Sequence, residues 1–164
     1  MYRILAYLKF IFSATNQHGV HSPFLYDYVT KCLYHKPNYK GSKTIRVLLG
    51  SIKYYNVKNV CIVSQNTPIQ NLVKKEFPKI EFEKKPCDLV YLAKPNVGII
   101  EIYSKYIHNN TLIIINSIHA DKKNNDCWEQ IKILENITVT VDMYYCGAIF
   151  FRREQAKQHF KIRI

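Results

Sequence analysis

Glycine is scarce in this sequence: five glycines occur in 164 residues, and no two of them lie closer than nine positions apart. A dinucleotide-binding loop of the G-x-G-x-x-G type needs glycines two and five positions beyond its first one. The spacing therefore excludes a phosphate loop of that type. Any nucleotide site would have to form without the residue that lets a backbone turn approach a ligand closely.

Paired cysteine motifs are also missing. The chain has five cysteines, an odd number, and none of them forms a CxxC pair. Three of the five lie in apolar runs, where a cysteine usually behaves as a small buried hydrophobic residue. The pattern predicts buried, reduced thiols, and reduced thiols favour a cytoplasmic location.

Acidic residues are few, with 12 Asp and Glu against 24 Lys and Arg, so the net charge is +12. The excess is spread along the chain as +6 over residues 1–50, +4 over 51–100 and +2 over 101–164, and no tight basic block occurs. Nineteen of the 24 basic residues are lysine, which a nucleotide bias in the coding sequence explains as well as a phosphate-binding surface does. Binding of nucleic acid or an acidic protein stays an open alternative.

No long hydrophobic run is present. The front segment, MYRILAYLKFIF, is apolar but is interrupted by Arg3 and Lys9, and it is shorter than the roughly 20 residues that span a membrane. Lys9 also divides what would be the apolar region of a signal peptide. The segment predicts an amphipathic helix packed on the domain, with a membrane-surface helix as the alternative. Its uncovered apolar side would also suit a homodimer.

Alternating strand and helix patterns run through the rest of the chain and predict an open, mostly parallel α/β sheet in three layers, with an antiparallel strand pair at its C-terminal end. We expect a single domain over residues 1–164, in which a helical extension (1–57) packs on an α/β core (58–164). Ser22-Pro23, Ser42 and Asn96 are predicted helix starts. The tail QHFKIRI is predicted to add an edge strand or to dock as an extended arm. The predicted strands are 59–64, 79–82, 88–93, 111–116, 137–142 and 148–151.

Two terminal segments and one internal segment resemble a known family. NQHGVHSPFLYDYVTK and VTVTVDMYYCGAIFFRREQAKQHFKIRI resemble the two ends of a bacterial family of class I S-adenosylmethionine-dependent methyltransferases, of the small O-methyltransferase type. IHADKKNNDCWEQIK resembles the loop and helix after that family's fifth strand, with Ile118, His119 and Trp128 at matching positions. The resemblance implies a Rossmann-like methyltransferase fold, and it covers more than a third of the chain.

The resemblance also indicates where a cofactor would bind. The family holds the methyl donor with a glycine-rich turn after its first strand, and the matching turn here is Ser64-Gln65-Asn66. Side chains at such a turn fill the space where a ligand approaches backbone N–H groups. If the site survives, Ser64 and Asn66 would bind the cofactor, with Glu81 or Glu83 holding the ribose hydroxyls.

The acidic residues that the family carries after two further strands are absent. Ala93 and Lys94 follow the strand at 88–93, and Asn116 and Ser117 stand where the family has paired acids. Hard cations prefer carboxylate oxygens, so we expect no metal site. Lys94 would also repel a divalent ion or a sulfonium. In a surviving site, Asn116 would contact the cofactor.

The middle of the chain is too short for the complete family fold. Between its first and fourth strands the family has two strands and three crossover helices, whereas this chain has only residues 65–87 there. Each parallel crossover takes at least about 10 to 12 residues, so only one helix fits. The segment EKKP, residues 83–86, is too short for another helix, and residues 79–82 would form at most a brief edge strand.

One histidine remains a candidate for chemistry. His119 follows the carboxyl end of a strand, where open α/β sheets bind ligands, but the sequence shows no neighbouring carboxylate to act with it. His18 and His21 flank Gly19 in a loop, and hydrogen bonds that fix the turn explain them best.

The sequence favours a methyltransferase-fold protein that has lost S-adenosylmethionine binding and catalysis and serves as a binding or assembly module, or persists as a remnant. No cofactor is then expected. One alternative is an active small-molecule O-methyltransferase that uses S-adenosylmethionine in a rebuilt site around Asn116, His119 and Glu81 or Glu83. The other alternative is a basic module that binds nucleic acid or an acidic protein.

Overall fold

A computed structural model describes residues 2–35, 39–63 and 67–164. The helices are α1 (Tyr2–Ser13), α2 (Pro23–Asp27, continued by a π-helical turn over Tyr28–Leu33), α3 (Lys43–Tyr54), α4 (Thr67–Glu76), α5 (Val97–Tyr103) and α6 (Lys122–Ile133). The strands are β1 (Asn59–Ile62), β2 (Glu81–Phe82), β3 (Cys87–Leu92), β4 (Ile107–Asn116), β5 (Val139–Asp142), β6 (Cys146–Phe150) and β7 (Gln158–Lys161).

The strands form one sheet in the order β2-β1-β3-β4-β6-β5-β7. Neighbouring strands are parallel except where β6 pairs with β4 and with β5. The chain thus confirms the predicted open, mostly parallel sheet with an antiparallel pair near its C-terminal end. The four parallel strands lie in the order β2-β1-β3-β4. The chain therefore adds strands to one side of β1 and then to the other, and the switch falls between β1 and β3, as in doubly wound folds.

Side-chain caps begin the helices at the predicted positions. Ser42 Oγ accepts a hydrogen bond from the Ile45 N–H at 3.3 Å, and Asn96 Oδ1 accepts one from Ile99 at 3.1 Å. Ser22 caps α2, whose first residue is Pro23. These residues satisfy backbone N–H groups that have no partner within the helix.

Helices cover both faces of the sheet, so the protein has three layers. The first face packs against α2, α3 and α4, and residues 20–57 share this core with the strands; its members include Leu25, Tyr28, Leu48, Ile52, Val60, Val73, Leu112, Ile114, Val141 and Phe150. The buried residues of α1 form a separate small cluster with Tyr144. The second face packs against α5 and α6, and its members include Cys61, Val90, Ile100, Ile113, Ile115, Trp128, Ile131 and Ile149.

The region between β1 and β3 is as short as the sequence predicted. α4 is the only crossover helix that the described residues contain there, and β2 is a two-residue edge strand paired with Asn59 and Val60. Four residues, 83–86, then carry the chain from β2 past β1 to the start of β3 on its other side.

Cys61 and Cys87 form a disulfide between β1 and the start of β3, with their Cα atoms 6.2 Å apart. This disulfide contradicts the expectation that the buried cysteines are reduced thiols. The expectation failed because the sequence could not show that a shortened connection brings Cys87 beside β1. The cytoplasmic location therefore loses that line of support and stays a prediction. Cys32, Cys127 and Cys146 are free.

The C-terminal tail confirms the predicted edge strand. β7 pairs in parallel with β5 and closes that side of the sheet. Beyond it, Ile162 forms a bridge with Thr15, whose N–H donates to the Lys161 carbonyl at 2.8 Å. The end of the chain thereby fixes the segment that follows α1. Over the described residues, none of the helices has the length and apolar character needed to cross a membrane.

Candidate functional site

The carboxyl ends of β1, β3, β4 and β5 lie along one edge of the sheet, where an open α/β sheet forms its ligand crevice. The reversal of strand order places the centre of that crevice between β1 and β3. The predicted cofactor turn after β1, with Ser64 and Asn66, lies outside the described residues. The other predicted site residues can all be located.

The two glutamates predicted for the ribose hydroxyls make other contacts. Glu83 Oε1 accepts a hydrogen bond from the backbone N–H of Ile62 at 2.8 Å, so its carboxylate is bound to β1. Glu83 is also one of the few residues with positive φ, at 58°. Glu81 pairs with Asn59 at the amino end of β1, and its carboxylate forms an exposed ion pair with Lys84 at 2.8 Å. The structure does not bring Glu81 to the carboxyl edge.

Asn116 does lie at the carboxyl edge, at the end of β4, but it belongs to a hydrogen-bonded network. Thr44 Oγ1 of α3 donates to Asn116 Oδ1 at 2.7 Å. The next residue, Ser117, has φ of 60°, and its N–H donates to the Tyr145 carbonyl at 2.8 Å. Asn124 Nδ2 donates to the Ser117 carbonyl at 2.8 Å. These bonds join β4 to α3, to the β5–β6 turn and to α6.

His119 is held from both sides of its ring. Nε2 lies 2.7 Å from Asp142 Oδ2, and Nδ1 lies 2.7 Å from Asn125 Oδ1. The Tyr144 ring stacks on the imidazole at 5.3 Å between centroids, and Phe10 of α1 lies 6.4 Å away. His119 and Asp142 are both buried. A doubly protonated ring would donate one hydrogen bond to each of these two oxygens. In a neutral ring one nitrogen carries no hydrogen, so the Asn125 amide would have to present its nitrogen to that position.

The expectation that His119 has no carboxylate partner is therefore wrong. Asp142 ends β5, and β5 runs in the same direction as β4, so both residues reach the same edge of the sheet. Strand directions could have suggested this meeting, but the sequence alone did not fix the order of β5 and β6. Asp142 Oδ1 also accepts the Tyr144 N–H at 2.8 Å, so both of its oxygens are used.

These contacts limit what His119 can do chemically. A general base needs a nitrogen with a free lone pair that faces the substrate proton. Both ring nitrogens of His119 already face protein partners at hydrogen-bonding distance. In this geometry His119 links Asp142 of β5 to Asn125 of α6. Proton transfer to a ligand would first require one of these two hydrogen bonds to break.

A small cavity adjoins this pair. Its volume is about 240 Å³, and its lining includes Asn116, Ser117 and His119 together with the cationic side chains of Arg3 and Lys43. Pockets that enclose drug-sized ligands measure roughly 300 to 1,000 Å³. The cavity is smaller than this range, but His119 and Asn125 also line a cleft of about 510 Å³ between α1 and α6. The Lys43 ammonium lies 4.7 Å from the Tyr145 ring centroid and donates to the Ile164 carbonyl at 2.6 Å.

Two of the free thiols, Cys146 beside Asn116 in the sheet and Cys32 in the turn after α2, are not activated. Burial raises the pKa of Cys146 to about 12, and burial likewise raises that of Cys32 to about 12. A nucleophilic cysteine needs a lowered pKa, because the thiolate is the reactive form. Within the described ranges, no group of three or more His, Cys, Asp or Glu side chains is arranged to hold a metal ion.

A second histidine–aspartate pair lies at the opposite edge of the sheet. His108 Nε2 is 3.0 Å from Asp88 Oδ1, and Asp88 Oδ2 accepts the N–H groups of Lys58 at 2.8 Å and Asn59 at 3.1 Å. Burial alone would raise the pKa of Asp88, but these hydrogen bonds together lower it below its usual value. The pair is partly exposed and fastens β1, β3 and β4 at their amino ends.

The strand order, the helices on both faces and the antiparallel hairpin beside β4 define an α/β protein with a Rossmann-like, methyltransferase-type fold. Among solved structures, the chain is similar to the crystal structure of a protein provisionally described as a caffeoyl-CoA O-methyltransferase from Staphylococcus aureus. The two share 16% identity with a TM-score of 0.48, and the alignment covers 83% of this chain and 94% of that one. No family model matches the sequence, and no curated protein matches it.

Proposed function

We propose that this methyltransferase-like protein neither binds S-adenosylmethionine nor transfers methyl groups, and that it serves as a binding module. The observation that carries the proposal is the position of Glu83. Its carboxylate accepts the Ile62 N–H at 2.8 Å, so the one glutamate near the end of β1 stabilises the strand rather than pointing at a ribose. Releasing it would leave a backbone N–H without its partner.

Three further features support the proposal. The turn after β1 has no glycine, and the connection of residues 83–86 leaves no crossover helix beyond β2 to build the adenosine side of a site. Lys94 is exposed just beyond β3, where its charge opposes that of a sulfonium. Together these features do not fit the cofactor that the fold suggests.

Calorimetric titration tests the proposal. We expect no saturable heat when S-adenosylmethionine or S-adenosylhomocysteine is added to the protein, up to about 1 mM ligand. An established S-adenosylmethionine-dependent methyltransferase, titrated in the same buffer, serves as the positive control, and circular dichroism shows that the protein under test is folded. Saturable binding with a micromolar Kd would overturn the proposal.

The second candidate is an active O-methyltransferase, which the His119–Asp142 pair favours because it borders a cavity at the correct edge of the sheet. This candidate predicts methyl incorporation from labelled S-adenosylmethionine into a small hydroxylated substrate. His119→Ala should then abolish incorporation, whereas His108→Ala, which removes the histidine of the pair at the opposite edge, should not. If the wild-type protein incorporates no methyl groups across a substrate panel, the first proposal is supported.

A further inference from the structure

The outward side of α1 is apolar and has no covering element among the described residues. Four side chains line it: Ile4 is 68% exposed, Leu5 61%, Leu8 46% and Phe12 88%. At 100° of rotation per residue these four fall within an arc of roughly 100°. Exposed apolar residues are common when scattered singly, but a contiguous stripe usually marks an interaction surface.

The rest of the fold holds α1 in this orientation. On the inward side, Phe10 is buried and packs with Ala14 and Tyr144. The Tyr144 hydroxyl donates to the Arg3 carbonyl at 2.7 Å, and the bridge between Thr15 and Ile162 fixes the chain just beyond the helix. The apolar stripe therefore faces outward because the opposite side of the helix is bonded and packed.

Basic side chains lie beside the apolar stripe. Lys9 is exposed and projects about 100° from Leu8 around the helix. It forms no ion pair with a carboxylate of the described residues, and no acidic residue precedes Asp27 in the sequence. On the same side of α1, Lys161 Nζ donates to Ser13 Oγ at 3.1 Å and adds a second cation. Arg3 lies on the inward side of the helix, where it lines the cavity beside His119.

We propose that α1 docks this protein on an anionic lipid surface, with the stripe of Ile4, Leu5, Leu8 and Phe12 entering the acyl boundary and Lys9 and Lys161 reaching the headgroup phosphates. A helix with one apolar side and flanking basic residues lies in the plane of the interface in this way. The net charge of +12 strengthens attraction to such a surface, since each basic residue close to the membrane favours binding to anionic lipids. The proposal holds whether or not the protein binds a methyl donor.

A second copy of the chain fits the stripe less well. A helix of 12 residues is roughly 18 Å long and about 10 Å wide, so its outer side offers about 200 Å², against about 800 Å² per partner in a stable interface. Two copies would also bring together two chains that each carry +12. An anionic bilayer requires only that a few side chains insert, and it attracts the charge that two copies would oppose.

Vesicle flotation of the full chain tests the docking surface. We expect binding to phosphatidylcholine vesicles containing about 30% phosphatidylglycerol, at least tenfold stronger than to pure phosphatidylcholine and weaker at higher salt. The double variant Leu8→Asp/Phe12→Asp should lower this binding at least about tenfold. Lys9→Gln/Lys161→Gln should lower binding to the anionic vesicles by about tenfold and leave binding to neutral vesicles unchanged.

Matched variants separate the stripe from general effects. Ile102→Asp/Ile133→Asp changes two exposed apolar residues on α5 and α6, which are 58% and 76% exposed against 46% and 88% for Leu8 and Phe12. Lys75→Gln/Lys105→Gln removes two exposed charges elsewhere. Both controls should bind vesicles like the wild-type protein. The proposal is overturned if the wild-type protein does not bind anionic vesicles, if the controls lose binding equally, or if sedimentation shows a dimer that only Leu8→Asp/Phe12→Asp dissociates.

Discussion

The two sides of the sheet differ in how completely they are built. From β4 to β7 the strands have four to ten residues, and the second half of β4, β5 and β6 pair continuously and bury nearly every side chain. On the other side, β2 has two residues and follows a single crossover helix, and a four-residue segment leads from it to β3. The shortened side, around β1 and β3, is the one where such a fold would hold a nucleotide.

Under the proposed function, this difference teaches that stability and a cofactor site can be separated within one fold. The β4–β7 side keeps its core, with Trp128 and Ile149 fully buried. On the β1–β3 side, polar side chains that could serve a ligand bind the protein's own backbone instead, as Glu83 binds Ile62. If the ligand site is lost as proposed, the chain still folds, because burial of apolar surface is the main stabilising term.

Truncation of large side chains should show the largest difference between the two sides. Ile114→Ala on β4 removes a fully buried side chain and should lower the free energy of unfolding by about 3 to 4 kcal/mol. Phe82→Ala on β2 removes a partly buried side chain and should cost about 1 kcal/mol, because water already reaches it. Urea unfolding measures both. Equal costs would show that the edge strand is as well packed as the centre.

Two glycine substitutions should show a smaller contrast. A Cβ on Gly147 would lie 2.5 Å from the Trp128 ring, and that ring is fully buried, so Gly147→Ala should cost about 2 to 3 kcal/mol. A Cβ on Gly98 would meet only Asn96 Oδ1 at 3.6 Å, so Gly98→Ala in α5 should be neutral or stabilise the protein by up to about 1 kcal/mol. Thermal unfolding of the two variants checks the difference, and an intact melting temperature for Gly147→Ala would contradict this packing.

The two histidine–aspartate pairs give the next comparison. Asp142→Ala removes the buried partner of His119 and should cost about 2 kcal/mol, since a buried polar group is left unsatisfied. Asp88→Ala acts on a partly exposed pair and should cost about 1 kcal/mol, because water replaces the lost acceptor. The His119 and His108 ring resonances, followed by NMR, should report which contact is lost. A larger cost for Asp88→Ala would reverse the ranking of the two edges.

The smallest expected effect is a pH dependence from Asp88. Its pKa is lowered in the folded protein, so the folded state binds fewer protons than the unfolded state at acidic pH. The stability it contributes is present above its unfolded pKa of about 4 and is lost as the pH falls through the lower folded value. Asp88→Asn should lack this contribution, so its stability difference from the wild-type protein should shrink on acidification. A difference that is constant between pH 5 and pH 2 would exclude this role.

Much of the fold followed from the sequence because its signals are local. The caps at Ser42 and Asn96 and the apolar run at the end of β4 predicted their elements within a few residues. The Asp142 partner of His119 and the Cys61–Cys87 disulfide were missed because each joins segments more than 20 residues apart. Such contacts depend on strand order and on how a short connection crosses β1, which periodicity does not encode.

The site was predictable only in part. The missing glycines and acids could be read directly, but the inward contact of Glu83 depends on its positive φ after a two-residue strand. A sequence pattern cannot show that a glutamate turns back to bond a neighbouring strand. The same limit applies to Asn116, whose bond to Thr44 joins residues 72 positions apart.

The most direct measurement is a crystal structure of the protein soaked with saturating S-adenosylmethionine. We expect no ligand density at the carboxyl ends of β1 and β3, with the Glu83 carboxylate still bonded to the Ile62 N–H. Density for the methyl donor beside Ser64 and Asn116, with Glu83 turned toward its ribose, would contradict the loss of the cofactor site.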